Sequence, residues 1–216
     1  MLNVDKWKPQ VITDSKVCPF LIIDNWFSEN EFNNVFKEVD FLFSGRNIDR
    51  AENNKDSAKY SDGGPKVLAN RIYYEEIYNN TYDNKFTHIP ITIDKIRTDK
   101  FKTLLKETYP LQSRVFFSSD KSSAILTYYE NNDKYDTHYD NALFTILIWL
   151  YKEPKKFEGG DLKLTDINKT IKCVNNRMVI FPSYYEHAVL PIKMNNKDKG
   201  YGRYTISHFF NFTGFN

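Results

Sequence analysis

The chain has 216 residues, and its 30 Lys and Arg nearly cancel its 28 Asp and Glu. That length suffices for one domain with a substantial core, and the balanced charge excludes the dense basic face of a nucleic-acid reader. Aromatic residues make up 16% of the chain, with 15 Tyr and 17 Phe, which suits β-rich layers and a ring-lined pocket better than a helical bundle.

Residues 1–17 form a polar lead-in that ends in an edge strand at Gln10 to Thr13. The opening MLNVDKWKPQ lacks the apolar stretch of a secretion signal. Cys18 and Cys173 have no neighbour at zinc spacing, so they read as buried, reduced thiols of a cytoplasmic protein. Pro19 to Asp24 is an apolar run of strand length. Ser28 and Glu31 then make an S-x-x-E capping box, and Phe32, Val35, Phe36 and Val39 give the following helix one apolar stripe.

Ser44 to Pro65, rich in Asn, Asp, Ser and Gly, predicts an exposed loop, either a substrate-covering lid or a disordered insertion. Val67 to Tyr78 reads as a strand followed by a helical turn. Ile93 to Thr108 reads as one helix with Ile96, Leu104 and Leu105 in the core, ended by Pro110. From about Arg114 short β-type runs follow one another: Ser122–Tyr129, Leu143–Tyr151, Asp161–Thr165, Thr170–Val174, Met178–Phe181, Ala188–Ile192 and Tyr201–Phe212. The longest apolar run, Ala142 to Tyr151, is too short to span a bilayer. The fold expected is mainly β with flanking helices, a jelly roll over 114–216 supported by an N-terminal layer over 1–113, as a single domain over 1–216.

Chemistry concentrates in Tyr129 to Asp140. His138 and Asp140 are two apart, so on an extended segment both reach one face. With His187 in FPSYYEHAV they make two imidazoles and one carboxylate, a ligand set that suits a non-haem Fe(II) oxygenase or a mononuclear zinc hydrolase. Arg203 in GRYTISHFF can clamp a carboxylate co-substrate, which a simple hydrolase does not need. His208 alternates away from Arg203 and reads as a satisfied structural histidine, and His88 as a surface residue.

Taken in order, these segments resemble the 2-oxoglutarate- and Fe(II)-dependent dioxygenases, in the prolyl 4-hydroxylase-like branch. Tyr129, Tyr135, His138 and Asp140 match the segment Y-x-x-G-x-x-Y-x-x-H-x-D, with Asn132 at the glycine, a residue that tolerates the left-handed backbone. LFTILIWLY, FEGGDL, MVIFPS with His187, and RYTIS complete the resemblance, which runs from Pro19 to Phe212.

The resemblance implies a double-stranded β-helix, cupin-like, that uses Fe(II), 2-oxoglutarate and O₂, with ascorbate as a reductant. It implies His138, Asp140 and His187 as catalytic metal ligands. Arg203 would hold the far carboxylate of 2-oxoglutarate, with Tyr129, Thr205 and Ser207 adding contacts. Trp149 stands where relatives often carry a second co-substrate tyrosine, and either makes a changed contact or packs the core. Tyr139 and Tyr135 border a substrate groove in this reading, and Gly159 and Gly160 permit a turn. The implied activity is hydroxylation of a prolyl residue in a peptide or protein. Hydroxylation of a lysyl residue, a free amino acid or a nucleobase, and a metal-binding cupin-like sensor without turnover, stay open beside it. Neither a nucleic-acid partner nor a membrane is expected.

Overall fold

The structure is a computed structural model and describes residues 6–14, 18–44, 48–75 and 87–213. Its centre is a seven-stranded antiparallel sheet. The strands are β1 (Lys8–Asp14), β2 (Cys18–Asp24), β4 (Asn70–Tyr73), β5 (Lys121–Tyr129), β7 (Phe144–Leu150), β11 (Arg177–Pro182) and β14 (Arg203–Asn211). They lie in the order β1-β2-β11-β7-β14-β5-β4. A five-stranded sheet, β10-β9-β12-β6-β3, faces it. It is built from β3 (Val67–Leu68), β6 (Lys134–His138), β9 (Leu162–Leu164), β10 (Lys169–Ile171) and β12 (His187–Val189). A short ribbon pairs β8 (Phe157–Gly159) with β13 (Ile192–Met194).

The period of two along each strand divides the core. Phe20 and Ile22 of β2, Leu147 and Trp149 of β7, and Val179 and Phe181 of β11 point between the two sheets. Leu21, Ile23, Ile146, Ile148, Met178 and Ile180 point outward, under a helical layer. Strand β7, the apolar run of the sequence, is buried along its whole length because both of its faces are covered.

Helix α1 (Glu29–Phe43) begins as its sequence specifies. The Ser28 hydroxyl accepts from the Glu31 N–H, and the Glu31 carboxylate accepts from the Ser28 N–H at 2.7 Å. Val35 and Val39 are fully buried on the outer face of the large sheet, and each contributes about 1.5–3 kcal/mol of burial.

The stretch expected to be one helix to Thr108 is two, α2 (Ile91–Ile96) and α3 (Asp99–Thr108). Thr98 separates them, because its extended backbone and side-chain hydroxyl cap the Phe101 N–H. Pro110 does not end the helical region. It opens α4 (Pro110–Ser118) at a position where a missing N–H and a fixed φ favour a helix start, so Arg114 is helical and the strands begin at Lys121. Ile96 and Leu105 are buried and Leu104 partly so.

The polar loop is more ordered than its composition predicts. A turn of 3₁₀ helix at Ala51–Asn53 and a bridge from Lys59 to Pro65 give it structure, and Ala51 and Ser57 are buried. Residues 45–47, the turn expected at 76–78 and the Cys18 side chain lie outside what is described, while Cys173 is buried and free. Among the described residues no helix is long and apolar enough to cross a membrane.

Candidate metal and dicarboxylate site

Strand β6 ends at His138 and β12 begins at His187, and these two residues are direct partners across the β6–β12 ladder. Their rings lie 4.3 Å apart between centroids. Asp140, just beyond β6, reaches both: its Oδ1 lies 3.5 Å from His138 Nε2 and its Oδ2 3.3 Å from His187 Nε2. One ligand atom from each residue lies within 4.8 Å of the others, as one metal ion requires.

The backbone sets the imidazoles. His138 Nδ1 lies 2.8 Å from the Asp136 carbonyl, and His187 Nδ1 lies 2.8 Å from the Tyr185 carbonyl. A carbonyl oxygen only accepts, so each neutral ring carries its proton on Nδ1 and turns the lone pair of Nε2 inward. Asp140 is held by the Thr145 hydroxyl at 2.6 Å, which in turn meets the Ser183 hydroxyl at 2.8 Å. Burial by itself would raise the Asp140 pKa, but the two facing imidazoles outweigh it and hold the carboxyl far below the usual range, so it is ionised. Two aromatic rings limit ring rotation: Tyr135 stacks on His138 at 3.4 Å, and Phe181 meets His187 edge-on at 4.9 Å.

The turn that feeds β6 is specified locally. Asn132 adopts the left-handed φ of +69° expected of it at the glycine position. The Asp133 carboxylate accepts from the Glu130 N–H and pairs through both oxygens with Arg50, at 2.6 and 3.0 Å. Arg50 belongs to the polar loop, which also donates the Tyr60 hydroxyl to Asp136 at 2.7 Å, and Lys66, just past the loop, donates its Nζ to the Thr137 carbonyl at 3.0 Å. The loop thus braces the strand that carries the first histidine.

Arg203, Thr205, Ser207 and Phe209 line the same cavity as the histidines, together with Tyr129, Thr127 and Ile125 of β5. Arg203 is fully buried, and none of its three guanidinium nitrogens has a hydrogen-bond partner. Its guanidinium stands 5.1 Å from the Tyr129 ring and 5.3 Å from the Trp149 ring, so both aromatics stack on it. Trp149 Nε1 and Thr205 Oγ1 are likewise buried without partners. A buried cation with five unused N–H donors is costly unless an anion with several oxygens joins it. The donor set therefore fits a carboxylate that arrives with a ligand. Gly160, at φ +69°, leaves the room this arrangement needs, since a Cβ there would press to 3.0 Å from Arg203 Cδ.

Tyr139 is 69% exposed, and Tyr135 is occupied by its stack on His138. His88 is exposed. His208 departs from its expected satisfied state: it is buried with Nε2 unpartnered, and burial pushes its pKa down to about 4. Two contributions escaped the sequence reading. Thr145 was visible as the one hydroxyl inside an apolar strand. Arg71 of β4, which also lines the cavity, carried no local signal.

Residues 124–211 match the family model of the 2OG-Fe(II) oxygenase superfamily. A curated relative, an uncharacterized PKHD-type hydroxylase of Synechocystis sp., is 28% identical over 75 residues. That match takes in 29% of this chain and spans only a quarter, 25%, of the relative. Among solved structures, a Pseudomonas putida prolyl-4-hydroxylase shares the fold with a TM-score of 0.58 at 12% identity, covering 96% of this chain and 93% of that one. A prolyl hydroxylase from Trichoplax adhaerens, solved with a hypoxia inducible factor peptide fragment, gives 0.58 at 13%, covering 89% and 83%. The viral collagen prolyl hydroxylase of Paramecium bursaria Chlorella virus-1, solved with 2OG, gives 0.50 at 15%, covering 88% and 94%. At these identities the likeness is one of fold.

Proposed function

We propose that this chain, whose residues 124–211 match the family model of the 2OG-Fe(II) oxygenase superfamily, is an Fe(II)- and 2-oxoglutarate-dependent hydroxylase acting on a prolyl residue of a peptide or protein. The single observation that carries the reading is the pairing of two sites in one cavity. One is the inward-facing trio His138, Asp140 and His187, and the other is the unpartnered buried guanidinium of Arg203. A metal site alone would suit many reactions, whereas a metal site beside a buried guanidinium without a protein partner suits a chelating dicarboxylate.

His138, Asp140 and His187 would hold the iron, leaving other coordination positions for ligands. Bound iron and 2-oxoglutarate would supply the oxidising chemistry: O₂ and 2-oxoglutarate are consumed, CO₂ leaves, one oxygen atom ends in succinate and the other is inserted into a substrate C–H bond to give C–OH. The protein orients the reactants. Arg203 pairs through parallel N–H bonds with the far carboxylate, and Thr205 offers a hydroxyl beside it. Tyr129 and Trp149 seal that end from water, which strengthens the pair. Thr145 and the two backbone carbonyls fix the ligand orientations before metal arrives.

The prolyl assignment rests on the fold shared with prolyl hydroxylases and on the exposed aromatic ring of Tyr139, between the ligands His138 and Asp140 in sequence. The test is incubation of the protein with Fe(II), 2-oxoglutarate, ascorbate and proline-containing peptides, followed by mass spectrometry. A gain of one oxygen on proline, matched by succinate, is expected. Succinate without any peptide oxidation would retain the oxygenase and remove the prolyl substrate.

A further inference from the structure

We infer that Arg71 is a second anion-recognising residue and that the substrate presents a carboxylate near the carbon to be hydroxylated. This rests on the oxygenase reading above and adds a chemical requirement to it.

Arg71 lies on β4, where it is the cross-strand partner of Thr127 on β5. Thr127 is also the partner of Thr205 on β14, two residues along from Arg203. Direct partners in an antiparallel ladder point to one face. Arg71, Thr127, Thr205 and Arg203 therefore share the face that lines the metal cavity. The two arginines are two strands apart, roughly 10 Å laterally, with a further offset of two residues along the strand. One small carboxylate does not need both, so Arg71 addresses a different group from the one Arg203 clamps.

The surroundings of Arg71 are those of an incomplete anion site. Its Nε is buried without a partner. Its guanidinium is 5.5 Å from the Tyr135 ring, the ring that stacks on His138, which places the cation beside the metal trio. Its electrostatic neighbours are the phenols of Tyr129, Tyr135 and Tyr73, none of them a carboxylate, and Tyr73 and Tyr135 also hydrogen-bond to its side chain. Among the described residues no carboxylate forms an ion pair with it, in contrast to Arg50, which is paired with Asp133 and Glu52.

Charge balance gives the same answer. Two arginines and one carboxylate, Asp140, line the cavity. A divalent metal and a dicarboxylate co-substrate cancel one another, so the loaded cavity retains one excess positive charge. In a site of low dielectric that excess favours an anionic substrate and disfavours a neutral one. A prolyl residue carrying its own free carboxylate, as a terminal residue or a free amino acid, meets the requirement, and an internal prolyl residue in a neutral peptide does not.

The test uses equilibrium binding rather than turnover. Protein loaded with zinc, which is redox-inert, and with 2-oxoglutarate is titrated by calorimetry with N-acetylproline and with N-acetylproline amide. The wild type is expected to bind the acid roughly tenfold or more tightly than the amide, the discrimination given by one charge-assisted pair. Arg71→Gln loses that preference while its 2-oxoglutarate affinity stays at the wild-type value, and Arg71→Lys retains part of the preference. Equal or absent binding of the two probes overturns the inference, as does a preference that survives in Arg71→Gln. A fall in 2-oxoglutarate affinity in Arg71→Gln as large as in Arg203→Gln also overturns it, by placing Arg71 in the co-substrate clamp. Failure of the wild type to bind 2-oxoglutarate at all counts separately, against the oxygenase reading.

Discussion

His187 is the direct cross-strand partner of His138, so the distance between the two imidazoles is set by a β-ladder and not by loop packing. Asp140 spans both Nε2 atoms from a position just past the same ladder. The ligand geometry is thus present before any metal binds, and that has consequences which can be measured.

Because the trio is preformed, removing one member should abolish metal affinity with little effect on the fold. Asp140→Asn keeps the volume and the contact with Thr145 but lacks the negative charge. A drop of about 100-fold or more in Fe(II) or Co(II) affinity is expected, with circular dichroism unchanged. Thr145→Val leaves the ligands in place and frees Asp140 to turn, so a smaller fall, about 10-fold, should appear in the same titration.

Arg203 exchanges stability for binding. Its buried guanidinium has no hydrogen-bond partner within the protein, so Arg203→Met should raise stability measured without 2-oxoglutarate, by about 1–3 kcal/mol in urea unfolding. The same variant should lose the stabilisation that 2-oxoglutarate gives the wild type. A variant that is both less stable and still stabilised by 2-oxoglutarate would show that the guanidinium has a structural partner.

How much of this was readable beforehand depends on whether the cause was local. The capping box of α1 needs only Ser28 and Glu31, three residues apart, and it formed as written. The buried strand β7 is announced by an apolar run that only Thr145 interrupts. Pro110 carries two meanings, since the ring that stops one helix can start the next, and both hold here, with Tyr109 as the non-helical residue between the two helices. Ser44 to Pro65 read as an exposed loop, either lid or disordered insertion, because its order comes from partners far along the chain, Arg50 with Asp133 and Tyr60 with Asp136. In the site, the ordered motifs singled out His138, Asp140, His187 and Arg203, while Arg71 became visible only when strand pairing set it beside Thr127. The orphaned Nε2 of His208 is equally a matter of tertiary burial, invisible to alternation along β14.

His208 should impose a pH dependence on folding. In the unfolded chain it titrates at about 6.5, whereas burial pushes it down to about 4 in the fold. The unfolded state therefore binds more protons between these values, and stability is full above about pH 6.5, falls as pH drops towards 4, and levels off below. The total is on the order of 3 kcal/mol. His208→Leu should flatten that portion of the pH–stability curve relative to the wild type, as read by urea midpoints at pH 7 and pH 4.5.

The Lys95–Glu31 pair joins α2 to α1 with the lysine fully inside, its Nζ 2.7 Å from the carboxylate. Lys95→Met alone leaves Glu31 partly buried and short of its cation, and should cost about 3 kcal/mol. Adding Glu31→Gln should recover much of that, and a double-mutant cycle measures the coupling. Strictly additive losses would mean that the pair contributes nothing beyond its individual packing.

The central claim is that the histidine–aspartate trio and Arg203 together hold ferrous iron chelated by 2-oxoglutarate. The direct measurement is an anaerobic titration of 2-oxoglutarate into the Fe(II)-loaded protein, following the visible charge-transfer absorption of a 2-oxo acid bound to ferrous iron. A saturable, one-to-one band is expected in the wild type, absent in Asp140→Asn and shifted to much higher 2-oxoglutarate concentration in Arg203→Gln. No band in the wild type, or the same titration curve in all three proteins, would contradict the account.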